Sequence, residues 1–226
     1  MTREEYINNL KENFQFIHTL ANKESYKVYR FRHVSLNKDI VIRSYSENID
    51  AYETLVNIRT SALPEIYDVI HLDDGMIVLE EYIDSITVAQ QMESEKYNYK
   101  SAKKVLKQVC SALTVLHSNG IIHRDVKPEN VLITKDERVV LIDFNASNKV
   151  STAKKDTVIM GTVGYASPEQ LGISRSDART DVYALGVMLN VMLPGVHPSE
   201  KLAGGRAGNF IRKSTNINPA ERYKSA

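Results

Sequence analysis

Near residue 84 the hydrophobic period of this chain changes, and few folds accommodate both halves. Before it, from Phe14 to Arg43, Tyr, Val, Phe and Ile alternate with polar residues, which predicts successive antiparallel strands. The segments YKVYRFRHV and KDIVIRSY form the clearest pair, joined by the turn-like Ser35-Leu36-Asn37. A helical segment, roughly Arg3 to Asn13, precedes them. Ile49, Tyr52, Leu55 and Ile58 recur at helical spacing, so a short helix interrupts the strands. Two more strands, EIYDVIHL and MIVLEEYI, turn at Asp73-Asp74-Gly75. Beyond Asp84 the spacing is helical. Val105, Leu106, Val109, Cys110, Leu113, Leu116 and His117 share one broad face of a helix over Ala102 to Ser118, and Asn119-Gly120 supplies its stop. A hairpin, NVLITKDERVVLIDF, follows, and DVYALGVMLNVM (181–192) is apolar almost all round, which predicts a buried helix. Strands first and helices afterwards predict an α+β fold in two lobes: 1–83 with an antiparallel sheet and one helix, and 84–226 mainly helical.

Composition removes other classes. Lys and Arg number 29 against 28 Asp and Glu, so the net charge of +1 leaves no electrostatic footprint for nucleic acid or an anionic membrane. A lone Cys110 makes neither an internal disulfide nor a cysteine metal cluster. The most apolar stretch, Tyr183 to Val196, is too short to span a bilayer and is broken by Asn190 and Pro194; the opening MTREEYINNLKENF lacks the apolar core of a signal peptide. A cytoplasmic protein is expected. Of the 10 glycines, the first is Gly75.

The chemistry-bearing residues stand between the long helix and the end of the apolar one. His123-Arg124-Asp125-Val126-Lys127-Pro128-Glu129-Asn130 is followed by the hairpin, then by Asp143-Phe144-Asn145, then by Gly161-Thr162-Val163-Gly164-Tyr165-Ala166-Ser167-Pro168-Glu169. This ordered set resembles the eukaryotic-like Ser/Thr protein kinase family, strongly from about Ile83 to Leu193 and weakly before it. The resemblance implies a two-lobed kinase-like fold that uses ATP and Mg²⁺ on a protein hydroxyl. Phosphoryl transfer needs a carboxylate to orient the attacking hydroxyl and accept its proton, and oxygen ligands for the ion on the phosphates. By the family motif Asp125 is the base, and Asn130 and Asp143 hold the metal. Lys127 neutralises charge on the transferred group and marks a Ser/Thr rather than a Tyr kinase, and Thr162 joins Asp125 and Lys127 in the substrate platform. Glu80-Glu81-Tyr82-Ile83 resembles the hinge that meets adenine through the backbone of Glu81 and Ile83, with Glu80 at the back of that pocket, where a carboxylate needs a polar partner or a raised pKa. His123 is read as a buried structural residue, Asp181 as the cap of backbone N–H groups in the catalytic loop, and Glu169 as the partner of Arg222. Arg124 implies docking of a phosphorylated segment, for which Ser151, Thr152 and Thr157 are the candidate acceptors.

The N-terminal lobe departs from the family pattern. In the stretch Leu20 to Tyr29, Ala21, Lys23 and Tyr26 stand where three glycines let backbone N–H groups approach phosphate. Glu24 adds negative charge there, which Lys23 or Lys27 could offset. Arg43 takes the place of the phosphate-binding lysine, with Glu53 as its expected helix partner; Arg and Lys are not interchangeable at a tight site. Asn145 replaces the glycine of the Asp-Phe-Gly motif, where asparagine tolerates left-handed backbone angles. Two functions stay open on sequence alone: an active Ser/Thr kinase, or a pseudokinase that binds nucleotide or protein as a scaffold. A small-molecule kinase of the same fold is disfavoured by Lys127-Pro128 and the segment 161–169.

Overall fold

Sheet register explains where the candidate residues of the first half lie. The structure, a computed structural model, describes residues 1–149, 161–171 and 175–226, and Ser151, Thr152 and Thr157 fall outside these. The chain divides into two compact units, Met1–Thr60 with Pro64–Asp84, and Ser61–Leu63 with Ser85–Ala226. The first contains α1 (Arg3–Leu10), β1 (Phe14–Asn22), β2 (Tyr26–His33), β3 (Lys38–Tyr45), α2 (Tyr52–Leu55), β4 (Ile66–Leu72) and β5 (Gly75–Glu81). Its five strands form an antiparallel sheet in the order β1-β2-β3-β5-β4.

Because side chains alternate along a strand, the sheet has two distinct faces. On one, Ile40 and Ile42 of β3 join Phe31 and Ile77 in a core covered by Tyr6, Ile7 and Leu10 of α1. On the other, Val41, Arg43 and Tyr45 pair in register with Glu80, Val78 and Met76 of β5. Gly75 opens β5 at φ 140°, and a Cβ there would lie 2.0 Å from the Tyr45 carbonyl oxygen, so the first glycine of the chain is a steric requirement.

Both helices of this unit are shorter than their periodicity predicts. Thr2 and Glu5 close a capping box at the start of α1. Past Leu10 the amides of Lys11, Glu12 and Asn13 bond carbonyls three residues back, so the helix tightens and stops. The predicted helix over 49–58 is a single α-turn, because Tyr52, Thr54, Asn57 and Ile58 also bond three residues back. Tyr52 and Leu55 are buried and anchor it.

The second unit carries β6 (Ser85–Thr87), α3 (Val88–Ser94), α4 (Tyr99–Ser118), β7 (Ile121–Ile122), β8 (Val131–Thr134), β9 (Val139–Leu141), β10 (Asn148–Lys149), α5 (Ala178–Met192) and α6 (Gly205–Ser214). Its strands form two small sheets, β6-β8-β9 and β10-β7. Helix α4 begins three residues earlier than predicted because the Asn98 side chain accepts from the amides of Lys100 and Ser101. Helix α5, capped by Asp177, is buried on nearly every side. The polar groups it carries inward are matched: Asn190 donates to the carbonyls of Val196 and Lys201 at 2.8 Å each and accepts from the Ala203 amide at 2.9 Å. The α+β expectation holds, with one sheet, α1 and one-turn α2 in the first unit and helices dominating the second.

Candidate active site

The loop between β7 and β8 is held from beneath by α5. Asp181, wholly buried, accepts from the amides of His123 (3.0 Å) and Arg124 (2.8 Å) and sits 2.7 Å from His117 Nε2. This fixes the backbone immediately before Asp125, with Arg124 at φ 68°. His123 is structural: its Nδ1 accepts from the Asp125 amide (3.3 Å), so Nε2 carries the proton and donates to the Ile142 carbonyl (3.0 Å), and its ring meets Phe144 edge-on at 5.5 Å.

On this frame Asp125 gathers donors. Its Oδ1 accepts from the Thr162 amide (3.1 Å) and hydroxyl (2.7 Å), and its Oδ2 from Asn130 Nδ2 (2.9 Å) and Lys127 Nζ (2.8 Å). Lys127 Nζ also donates to the Thr162 hydroxyl at 2.5 Å. Burial pushes the Asp125 carboxyl up, but the bonds from Lys127 and Thr162 and the charge of Lys127 outweigh it and hold it below its ordinary value. Asp125, Lys127, Asn130 and Thr162 thus form one bonded cluster.

Asn130 links this cluster to Asp143. Its Nδ2 donates to both the carbonyl and the carboxylate of Asp125, while its own carbonyl accepts from the Ile142 amide at 2.9 Å, one residue before Asp143. Among the described residues the Asn130 side-chain oxygen accepts no hydrogen bond. The left-handed residue of Asp143-Phe144-Asn145 is Asp143, at φ 70°; Asn145, the expected one, does not have positive φ.

In the first unit the structure corrects the expected pairing of Arg43. Glu53 is half-exposed and bonds His71 Nε2 at 2.7 Å, whereas Arg43 Nε donates to Glu80 Oε1 at 2.7 Å and both partners are buried. Sequence reasoning left Glu80 without a partner. The available signal was two opposite charges on one face of adjacent buried strands. Glu81 donates its amide to the Glu65 carbonyl at 2.8 Å, ordering the start of the segment Glu81 to Ile83. Between β1 and β2 the connection is only Lys23 to Ser25; the Lys23 amide is used by the Tyr26 carbonyl (2.9 Å), and the Ser25 carbonyl accepts from Ser46 N and Oγ (3.0 Å each). Lys23, Glu24 and Lys27 are exposed.

Two further groups brace the second unit. Arg222 grips Glu169 through Nη1–Oε1 (2.6 Å) and Nη2–Oε2 (2.9 Å), and the pair is buried rather than a solvated surface contact. Arg124 is buried with Nη2 3.4 Å from Ser176 Oγ, and its carbonyl accepts from Gln170 Nε2 at 2.8 Å.

Comparison with known proteins agrees with this geometry. Residues 16–223 match the protein kinase domain. A probable serine/threonine-protein kinase of Clostridium perfringens is 33% identical over 165 residues, 72% of this chain and 24% of that protein. Serine/threonine-protein kinase PknB of Mycobacterium tuberculosis is 36% identical over 126 residues, 54% of this chain and 20% of its own length. Serine/threonine-protein kinase D of Synechocystis is 30% identical over 192 residues, 74% of this chain and 37% of that protein. The chain thus spans well under half the length of these curated relatives.

Proposed function

This chain belongs to the protein kinase family, and on that premise we propose that it transfers the γ-phosphoryl group of ATP to a serine or threonine hydroxyl of a protein. The observation that carries the reading is the Asp125 carboxylate, kept ionised within a ring of donors from Lys127, Asn130 and Thr162. An ionised carboxylate beside a lysine is suited to orient a substrate hydroxyl and take its proton, while Lys127 stabilises charge on the transferred group. Thr162 holds the two in register, which supports a platform for a Ser/Thr substrate.

The donor set also fits Mg²⁺. The Asn130 amide oxygen accepts no hydrogen bond among the described residues, and the adjoining Asp143 supplies a carboxylate; both are hard oxygen donors, as an ion that relies on phosphate oxygens for its other ligands requires. When bound, the ion neutralises phosphate charge. In the first unit, Arg43 would bind phosphate and the backbone of Glu81 and Ile83 would receive adenine. No helix among the described residues is long and apolar enough to cross a membrane; a cytoplasmic location is part of the proposal.

The test is phosphate incorporation into a generic Ser/Thr protein substrate with Mg-ATP, beside Asp125→Asn. The wild type should transfer phosphate and the variant should lose about 10²–10⁴-fold, the span of general-base catalysis, while keeping a nucleotide-dependent melting shift. Equal, background-level incorporation by both proteins refutes transfer and leaves the scaffold reading.

A further inference from the structure

We propose that Glu80 is the positioning residue for Arg43, so that this lobe holds its phosphate-binding cation preset, without a carboxylate from α2. The proposal deepens the kinase reading and rests on it. Arg43 and Glu80 ride on β3 and β5, neighbours in one hydrogen-bonded ladder, where Val41 faces Glu80 and Arg43 faces Val78. The pair is therefore diagonal on a single face, and its 2.7 Å bond is made with side chains 7% and 3% exposed. A carboxylate on a helix moves with that helix. One on the adjacent strand is fixed by the ladder itself.

Helix α2 offers nothing comparable. It is one turn long, and its Glu53 is spent on His71 at the exposed edge of β4. What α2 contributes is Tyr52, wholly buried, whose hydroxyl lies 2.9 Å from that of Tyr45, two residues along β3 from Arg43 on the same face.

The chemistry of the two side chains explains why they occur together. An ammonium is a single point charge, whereas a guanidinium has a distinct Nε–H besides its two Nη groups. Glu80 engages Nε, the guanidinium donor nearest the stem. Arginine in place of lysine, and a glutamate at the back of the pocket that needs a polar partner, are on this reading one compensated change.

The experiment combines calorimetric titration of Mg-ATP with ¹⁵N NMR of the nucleotide-free protein. Glu80→Gln should weaken nucleotide binding by about tenfold or more, and Glu80→Asp should recover part of the loss. Glu53→Gln should stay within about twofold of wild type, as expected for an exposed side chain outside the site. The Arg43 Nε–H signal, identified by its loss in Arg43→Lys, should exchange slowly in the wild type and be unchanged in Glu53→Gln. The proposal is overturned if Glu80→Gln binds within about twofold of wild type, if Glu53→Gln weakens binding as much as Glu80→Gln does, or if the Arg43 Nε–H exchanges like an exposed arginine. Should Glu80→Gln fail to fold, the NMR comparison of wild type and Glu53→Gln decides. Nucleotide binding without phosphate transfer by the wild type overturns the kinase reading alone; no nucleotide binding overturns both.

Discussion

Thr162 shows how one hydroxyl sets the state of a neighbouring carboxylate. Burial alone would raise the Asp125 pKa; the bonds from Lys127 and Thr162 reverse that direction. Thr162→Val keeps the shape and the amide donor but removes the hydroxyl that bonds Asp125 and accepts from Lys127. The Asp125 pKa should then rise, and losing the hydroxyl that holds Asp125 and Lys127 in register should cost about tenfold in kcat/KM at neutral pH, within the general-base contribution. An Asp125 carboxyl resonance that titrates at the same pH in both proteins, followed by ¹³C NMR as the pH is lowered from neutral, would count against Thr162 as a determinant of the Asp125 charge.

At the scale of elements, α5 both holds the catalytic loop and packs on α6. Asp181→Ala removes the acceptor for two amides in the loop and for His117, leaving buried donors unsatisfied. At about 1–3 kcal/mol for each of the two orphaned amides the variant should lose about 2–6 kcal/mol, read by urea denaturation, and lose phosphate transfer with it. Gly186 makes an opposite point about helix propensity. Alanine there gains about 1 kcal/mol intrinsically, yet its Cβ would come within 2.7 Å of Ser214 Cβ and 2.9 Å of Thr215 Cγ2 at the end of α6. Overpacking of that kind costs about 1–3 kcal/mol and outweighs the gain by up to about 2 kcal/mol, so Gly186→Ala should lower the melting temperature by up to about 8 °C. A rise would show that α6 can withdraw freely. The catalytic loop was legible because its residues are close in sequence and chemically distinctive, and Asp181 was legible through the same motif. His117, which completes the Asp181 site from α4, read only as part of an apolar face; its contact spans 64 residues. Helix α2 was overread because four apolar residues at helical spacing also suit consecutive tight turns. The partner of Arg43 was missed for a related reason: facing residues on strands are set by register, which Gly75 and the β4–β5 turn fix and no local pattern displays.

Across the whole molecule, carboxylates held below their ordinary pKa occur in both units, and they set its response to acid. In the first unit Asp39 is lowered to about 2, chiefly by its bond to Arg32, with Arg30 adding to it. In the second, burial pushes Glu169 up, but Arg222 more than offsets this and leaves it below 4.5. A carboxylate whose folded pKa is depressed contributes stability that is present above its unfolded pKa and lost as pH falls through the folded value. Melting temperature should therefore fall progressively once the pH drops below about 4.5. Arg222 spans from Glu169 to the carbonyls of Arg179, Asn216 and Ile217, so it ties together the segment before α5, the start of α5 and the chain after α6. Arg222→Ala strands a buried carboxylate left with hydroxyl donors such as Thr180 and no bonded cation, at a cost of about 3–5 kcal/mol near neutral pH. In that variant Glu169 should titrate above its ordinary range. Its contribution then reverses sign: protonation relieves the stranded charge, so the gap between variant and wild type should narrow as the medium is acidified from pH 7 to 4. The Asp39 contribution, in the other unit, should survive in the variant as a residual acid slope. Calorimetric scans of both proteins at half-unit pH steps measure the gap directly. A gap constant across that range would mean that Arg222 acts through its three carbonyl contacts and packing, and that the Glu169 charge contributes little.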